Sequence, residues 1–316
     1  MMSGELVLGI DTSNYTTSAA LYSPDDNKII HRRRLLPVAK GGRGLRQSDA
    51  VFHHTAALHK VIGELFDELG YAPKIRAIGV SSRPRSDDGS YMPCFLVGVN
   101  VAGSLSSVVN VPVYEFSHQA GHIAAGIYSC GHEELFDKKF IAFHVSGGTT
   151  EAVLAAPDEK DVFKCDIVGK TLDLHAGQAV DRVGVMMGLD FPCGKELERL
   201  ALTCNEIPRV KVCVKGCDCC LSGIENICRK MAENNEDKPL IAMTCLTFIG
   251  QTLDKMCGNI IEQYGSMPIL FAGGVMSNTI IRERLAAHYP CLFASVELSS
   301  DNACGTAILA ARQLRG

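Results

Sequence analysis

Short apolar runs separated by turn-rich segments set the rhythm of the chain. Val7-Leu8-Gly9-Ile10 predicts a buried strand and Asp11-Thr12-Ser13-Asn14-Tyr15-Thr16-Thr17 a turn. Ser18-Ala19-Ala20-Leu21-Tyr22 then predicts a second strand, ended by Ser23-Pro24-Asp25-Asp26-Asn27. The same pattern returns from Phe140. A strand to Val145, the tight loop Ser146-Gly147-Gly148-Thr149-Thr150 and a strand from Glu151 to Ala156 lead into the turn Pro157-Asp158-Glu159-Lys160-Asp161. Between these hairpins the apolar period lengthens. Ala57, Leu58, Val61, Ile62, Leu65 and Phe66 share one helical face between His54 and Leu69, with Gly70 as the stop. Helices are also predicted over Phe95 to Val109, Ala179 to Met187, Ile224 to Met231 and Ile280 to Ala287. Ile75 to Val80, Val111 to Tyr114 and Pro268 to Ala272 read as buried strands.

Strands alternating with helices predict an α/β fold, and the repeated hairpin predicts a duplicated domain. In such a pair the two loops can face each other across a cleft. Asp11, Thr12 and Ser13 on one side and Ser146, Gly147 and Gly148 on the other would then cradle phosphates with backbone N–H groups and hydroxyls. The plainer reading is two ordinary hairpins. The expected division is 1–112, 113–298 and a C-terminal helix over 299–316 that returns to the first lobe.

Composition narrows the class. Of 316 residues, 47% are hydrophobic and 21% charged, which excludes disordered and fibrous chains. No apolar run approaches the roughly 18 residues that cross a bilayer, and the N-terminus lacks the pattern of a signal peptide. A cytoplasmic protein without a membrane partner is expected. The 14 cysteines are scattered through apolar segments and read as small buried hydrophobes. Thirty-one basic against 35 acidic residues leave a net charge of −4, so a nucleic-acid substrate would need a partner for much of its grip. Only Arg32-Arg33-Arg34 and the Arg43/Arg46 region hint at a basic surface.

Four segments carry candidate chemistry. His118 and His122, four apart on a predicted helix, can reach one metal ion, although an isolated pair at this spacing is also common without one. Gln119 stands where a zinc peptidase would need a Glu, which disfavours that enzyme. The strand Leu270-Phe271-Ala272 ends in Gly273-Gly274, which lets backbone approach a ligand, and Asn278 can cap the next helix. Asp301, in Ser299-Ser300-Asp301-Asn302, is either a helix cap or a hard ligand completing the histidine site. Asp181 lies in a predicted helix and Gly194 in the turn after it; a solvated carboxylate is the plain alternative for Asp181. Cys213, Cys217, Cys219 and Cys220 place four thiols within eight residues. Their spacing is not that of a paired CxxC site, and Cys219 and Cys220 would point to opposite sides of an extended chain. A structural role is therefore expected, with zinc or an iron–sulfur cluster as the alternative.

Taken in order, Gly-Ile-Asp-Thr-Ser, His-x-x-x-His, Val-Ser-Gly-Gly, Gly-Leu-Asp-Phe-Pro-x-Gly, Ala-Gly-Gly-Val-x-x-Asn and Asp-Asn resemble the TsaD family. These are the transferase subunits of threonylcarbamoyladenosine synthase, once labelled O-sialoglycoprotein endopeptidases. The resemblance implies the two-lobed actin-like ATPase (ASKHA) fold and transfer of a threonylcarbamoyl group from an adenylate to the exocyclic amine of the tRNA adenosine beside the anticodon. It implies one divalent metal, iron or zinc, on His118, His122 and Asp301. His144 stands where some relatives place a metal-ligating Tyr, and is a further candidate ligand. Val145, Ser146, Gly147, Gly148, Asp181, Gly194 and Asn278 would bind the adenylate, or ATP. Implied partners are tRNA and helper proteins, among them a paralogous actin-like subunit. The chain departs from the family at Thr149, at Ser82 to Tyr91, in the first loop and at the cysteine cluster, which marks a divergent paralogue. An ATP-dependent phosphotransferase and a non-catalytic nucleotide-binding scaffold remain as alternatives.

Overall fold

Strand β1 (Leu6–Asp11) is buried at every position, so it must be covered on both faces. It pairs antiparallel with β2 (Thr16–Ser23), which pairs antiparallel with β3 (Lys28–Leu35). On its other side it runs parallel to β4 (Ile75–Arg83), and β4 runs parallel to β5 (Val113–Ser117). The sheet order is β3-β2-β1-β4-β5. Helix α1 (Gln47–Leu69) ends at Gly70, whose φ of +74° suits a glycine cap. Helices α2 (Phe95–Val109) and α3 (His118–Cys130) follow β4 and β5. These assignments come from a computed structural model that describes all residues except 1, 3, 14, 38–44, 87–88, 296–297, 299–301 and 316.

The second half repeats the plan. It contains β6 (Phe140–Val145), β7 (Thr150–Asp158), β8 (Val162–Lys170), α4 (Ala176–Met186), α5 (Gly194–Ala201), the hairpin β9 (Cys213–Lys215) and β10 (Asp218–Cys220), α6 (Gly223–Glu233), α7 (Lys238–Tyr264), β11 (Ile269–Ala272), α8 (Thr279–Ala286) and β12 (Cys291–Phe293). Read from its other edge, its sheet order, β8-β7-β6-β11-β12, matches the first position for position. An antiparallel hairpin (β6, β7) again lies beside parallel strands (β6, β11, β12). The duplication expected from the hairpins is therefore present in the strand order.

The chain divides into two compact units, residues 1–138, 156–165 and 297–316 in one and 139–155 and 166–296 in the other. The sequence expectation put a boundary at 112 and both histidines in the second lobe. Because β5 pairs with β4, residues 113–138 group with the first unit, and α3 goes with them. The last helix, α9 (Asn302–Gln313), also belongs to the first unit and is buried from Asn302 to Ala311. It presses close because glycines face it. A Cβ at Gly9 would lie 2.0 Å from Ala303 O, and one at Gly79 would lie 2.1 Å from Thr306 O. The basic run lies on β3, where Arg32 and Arg34 pair at 2.6 Å with Glu68 and Glu64 of α1. Arg43 falls outside the described residues. No helix among the described residues is long and apolar enough to cross a membrane.

Candidate functional site

In the first unit, β5 delivers the chain to α3 at Ser117, whose Oγ accepts from Ala120 N at 3.1 Å as an N-cap. The loop after β4 supports this start. Gln119 N donates to Pro84 O at 3.1 Å and Ser86 Oγ to Ser117 Oγ at 3.1 Å, while Arg83 grips both carboxylate oxygens of Asp161. The segment that departs from the family pattern thus holds the helix bearing the two histidines.

His118 and His122 lie one turn apart, and their Nε2 atoms approach to 2.9 Å. Behind them, His118 Nδ1 is 3.2 Å from Oδ1 of Asp11, which is 2% exposed at the end of β1. With the proton on Nδ1 donated to that carboxylate, the Nε2 lone pair is left facing His122. Asp11 also accepts from Ser13 Oγ at 2.5 Å and from Asn302 Nδ2 at 3.1 Å. Burial alone would raise the Asp11 pKa. The His118 imidazole and the hydrogen bonds from His118, Ser13 and Ser81 outweigh it and hold the carboxyl well below the usual range. Asn302 Nδ2 donates to Ser81 Oγ at 2.8 Å and lies 2.7 Å from His118 Nδ1. Only close helix packing brings it there: a Cβ at Gly121 would sit 2.1 Å from Asn302 Oδ1, and one at Gly305 would sit 1.8 Å from Gly121 O.

Asp301 falls outside the described residues. Among those described, no three His, Cys, Asp or Glu side chains are grouped to hold a metal ion. His144 lies on β6 in the second unit, opposite Glu151 of β7 and Ala272 of β11. Thr12 is committed within the first unit, where its hydroxyl donates to Cys94 O at 3.0 Å and accepts from Gly98 N at 3.1 Å at the start of α2.

The second unit holds a cavity of about 450 Å³ lined by Gly147, Gly177, Val180, Asp181, Pro192, Gly194, Lys195, Glu198, Leu246, Gly274, Val275, Ser277 and Asn278. Ser146 closes the first loop, its Oγ accepting from Gly148 N and Thr149 N. The start of α4 packs on that loop: Gly177 N donates to Ser146 O, and a Cβ at Gly177 would fall 2.5 Å from Gly147 N. Asp181 Oδ1 accepts from Cys193 N at 2.9 Å, which fixes the turn ahead of Gly194. Asn278 caps α8 through Ile281 N at 3.1 Å. Gly273, at φ +102°, lies so close to β6 that an added Cβ would fall 2.3 Å from Val145 O; Val145, Ser146, Gly148 and Gly273 are not among the lining residues. Sequence reasoning missed Gly177, Lys195 and Glu198 here, and Asn302 and Ser81 in the first unit. Lys195 directly follows Gly194 and Asn302 directly follows Asp301, so neighbourhood was the one signal available.

The sequence model of the family described as TsaD, tRNA N6-adenosine threonylcarbamoyltransferase, matches residues 36–308. A tRNA N6-adenosine threonylcarbamoyltransferase of Streptococcus pneumoniae (strain CGSP14) is 28% identical, covering 96% of this chain and 90% of its own. Component A of the (R)-2-hydroxyglutaryl-CoA dehydratase of Acidaminococcus fermentans superposes with a TM-score of 0.55 at 13% identity, covering 99% of this chain and 100% of that one. A ROK family glucokinase from Streptomyces griseus, in complex with glucose and AMPPNP, gives 0.53 at 11% identity, covering 97% and 99%. At these identities the solved structures share the fold alone, an actin-like ATPase fold with two mixed sheets. The motif order, the doubled sheet and a match over most of its length place this chain in the TsaD family of tRNA N6-adenosine threonylcarbamoyltransferases.

Proposed function

We propose that this chain transfers a threonylcarbamoyl group from threonylcarbamoyl adenylate to the exocyclic amine of the tRNA adenosine beside the anticodon, with a divalent metal, iron or zinc, on His118 and His122. Family membership supports the tRNA reaction. The observation that supports the metal is that both Nε2 atoms converge to 2.9 Å, an N–H···N hydrogen-bond distance that opens by a few tenths of an ångström when one ion takes the place of the shared proton. A bound metal would supply Lewis-acid polarisation of the carbamoyl group.

Asp11 fixes the His118 tautomer and ring direction, and Ser13 and Asn302 keep Asp11 charged. Asp11, Thr12 and Ser13 are proposed contacts of the nucleotide from the first unit, with Asp11 also serving His118 and Thr12 the start of α2. Asp301 is proposed as a further ligand. In the second unit, Val145, Ser146, Gly147 and Gly148 would present backbone to the adenylate phosphate, with Gly273 and Gly274 giving room. Asp181, Gly194 and Asn278 would hold the nucleoside. Lys195, the one cation among the described lining residues, would meet negative charge.

The reaction would run in the cytoplasm with helper proteins, including a paralogous actin-like subunit, because a chain with a net charge of −4 offers little grip of its own on tRNA. A phosphotransferase would use the same cavity but leave the His118–His122–Asp11 arrangement idle. The test is rescue. In cells depleted of their own tRNA threonylcarbamoyltransferase, expression of this chain restores threonylcarbamoyladenosine in hydrolysed tRNA, read by mass spectrometry, and the His118→Ala variant does not. Equal rescue by the variant would remove the metal site from the reaction.

A further inference from the structure

Of the four clustered cysteines, two are set apart by the hairpin. In the β9–β10 ladder Cys213 stands directly opposite Cys220, and side chains of opposed residues project from the same face. Cys213 is exposed and Cys220 half-buried, so solvent reaches the pair. The other two are withdrawn. Cys219 is fully buried on the opposite face, and Cys217 is buried in the turn with its Sγ donating to Gln263 Oε1 at 3.4 Å. Opposed Cα atoms in an antiparallel pair lie about 4.5–5.5 Å apart, inside the span of about 4.4–6.8 Å that a disulfide bridges.

We propose that Cys213 and Cys220 form a dithiol site that closes into a cross-strand disulfide by exchange with a low-molecular-weight disulfide. The Cys213 thiolate attacks one sulfur of the disulfide RSSR, forming a protein–SR mixed disulfide and releasing RS⁻. Cys220, deprotonated by solvent, then attacks the Cys213 sulfur, expels the second RS⁻ and leaves the Cys213–Cys220 bond. Two protein thiols are oxidised, one RSSR is reduced to two RSH, and the protons pass through solvent. Cys213 acts first because it is the more accessible, and burial together with the Cys213 thiol pushes the Cys220 thiol up.

Closure reaches beyond the hairpin. Cys219 O accepts from Leu172 N at 2.8 Å, and Lys170 N donates to Asp218 Oδ1 at 2.9 Å. Asp173 receives Leu221 N and Ser222 N just beyond β10. The bridge would therefore stiffen a clamp on residues 170–174, the segment that leads into α4 and the cavity wall.

The test treats the intact reduced protein with oxidised glutathione, blocks remaining thiols with N-ethylmaleimide, digests with trypsin and maps the peptides by mass spectrometry. Cleavage after Lys215 puts Cys213 on peptide 212–215 and Cys220 on peptide 216–229. The expected product is these two peptides joined as the major oxidised species and separated again by dithiothreitol. The joined species is expected to persist in Cys217→Ser and Cys219→Ser and to disappear in Cys220→Ser. Far-UV circular dichroism verifies that each variant is folded, and Cys213→Ser serves as the second variant if Cys220→Ser is not. A stable glutathione adduct on Cys213 without joining would overturn the proposal. So would a joined species that survives the loss of Cys220.

Discussion

Replacing Gly305 by Ala sets two effects of opposite sign against each other. In a helix interior, Gly→Ala gains up to about 1 kcal/mol from lower backbone entropy in the unfolded chain. Against this, a Cβ at 305 would meet Gly121 O at 1.8 Å, backbone against backbone, where no side chain can swing aside. Helices α3 and α9 would have to separate by more than an ångström. Yet α9 is also held at Gly9 and Gly79, where added Cβ atoms would lie 2.0 and 2.1 Å from its carbonyls. Overpacking of this kind costs roughly 1–3 kcal/mol or more. A net destabilisation of about 2 kcal/mol is expected, with loss of the Asn302 contacts to Asp11 and His118. Gly103→Ala in α2 is the control, because Gly103 is exposed and a Cβ there meets nothing within 4 Å. It should stabilise the chain by about 0.5–1 kcal/mol. Urea unfolding followed by circular dichroism, with unchanged m-values, measures both. If Gly305→Ala is neutral or stabilising like the control, the glycine-mediated seating of α9 is refuted.

His54 is fully buried with Nδ1 2.8 Å from Thr17 Oγ1, and burial lowers its pKa to about 4 from an ordinary 6.5 despite the opposing pull of Asp11. The unfolded chain therefore takes up the proton first. The stability this neutral histidine confers is intact above pH 6.5 and drains away toward pH 4, by about 2 kcal/mol between pH 7 and 5. His54→Gln should flatten that part of the stability–pH curve, and an unchanged slope would contradict the assignment. Thr12→Val should cost about 1–3 kcal/mol by stranding the buried partners at the start of α2, and Thr12→Ser should recover most of it, read as thermal midpoints. Lys195→Met should weaken AMP binding about tenfold in calorimetry and leave adenosine nearly unaffected, the signature of a charge that meets phosphate. Equal loss for both would place Lys195 elsewhere in recognition.

What could be read from sequence follows from local signals. The paired hairpins and the helix over His54–Leu69 carry clean periods and Gly or Asp stops; the strands appear with ends shifted by a residue or two, and the helix begins two turns earlier, at Gln47. Helix α7 went unassigned because it is buried around most of its circumference and has no polar stripe to set a 3.6-residue period. Strand β3 hid behind three arginines at a sheet edge, two of which, Arg32 and Arg34, reach over to α1. At the site, the His118–His122 spacing was legible because it is local. The role of Asp11 was not, since its partner lies 107 positions away in sequence. The same holds for Asn302, brought in by glycines whose value shows only once α9 is packed. Asp181 could not be told from a surface carboxylate until the turn to Cys193 folded back on it.

The central claim is that His118 and His122 hold a metal ion, and metal content tests it most directly. The chain, purified anaerobically and reconstituted with iron or zinc, is expected to carry about one ion per molecule by elemental analysis, lost in both His118→Ala and His122→Ala variants that remain folded. A wild-type chain that stays metal-free, or variants that keep the ion, would contradict the account.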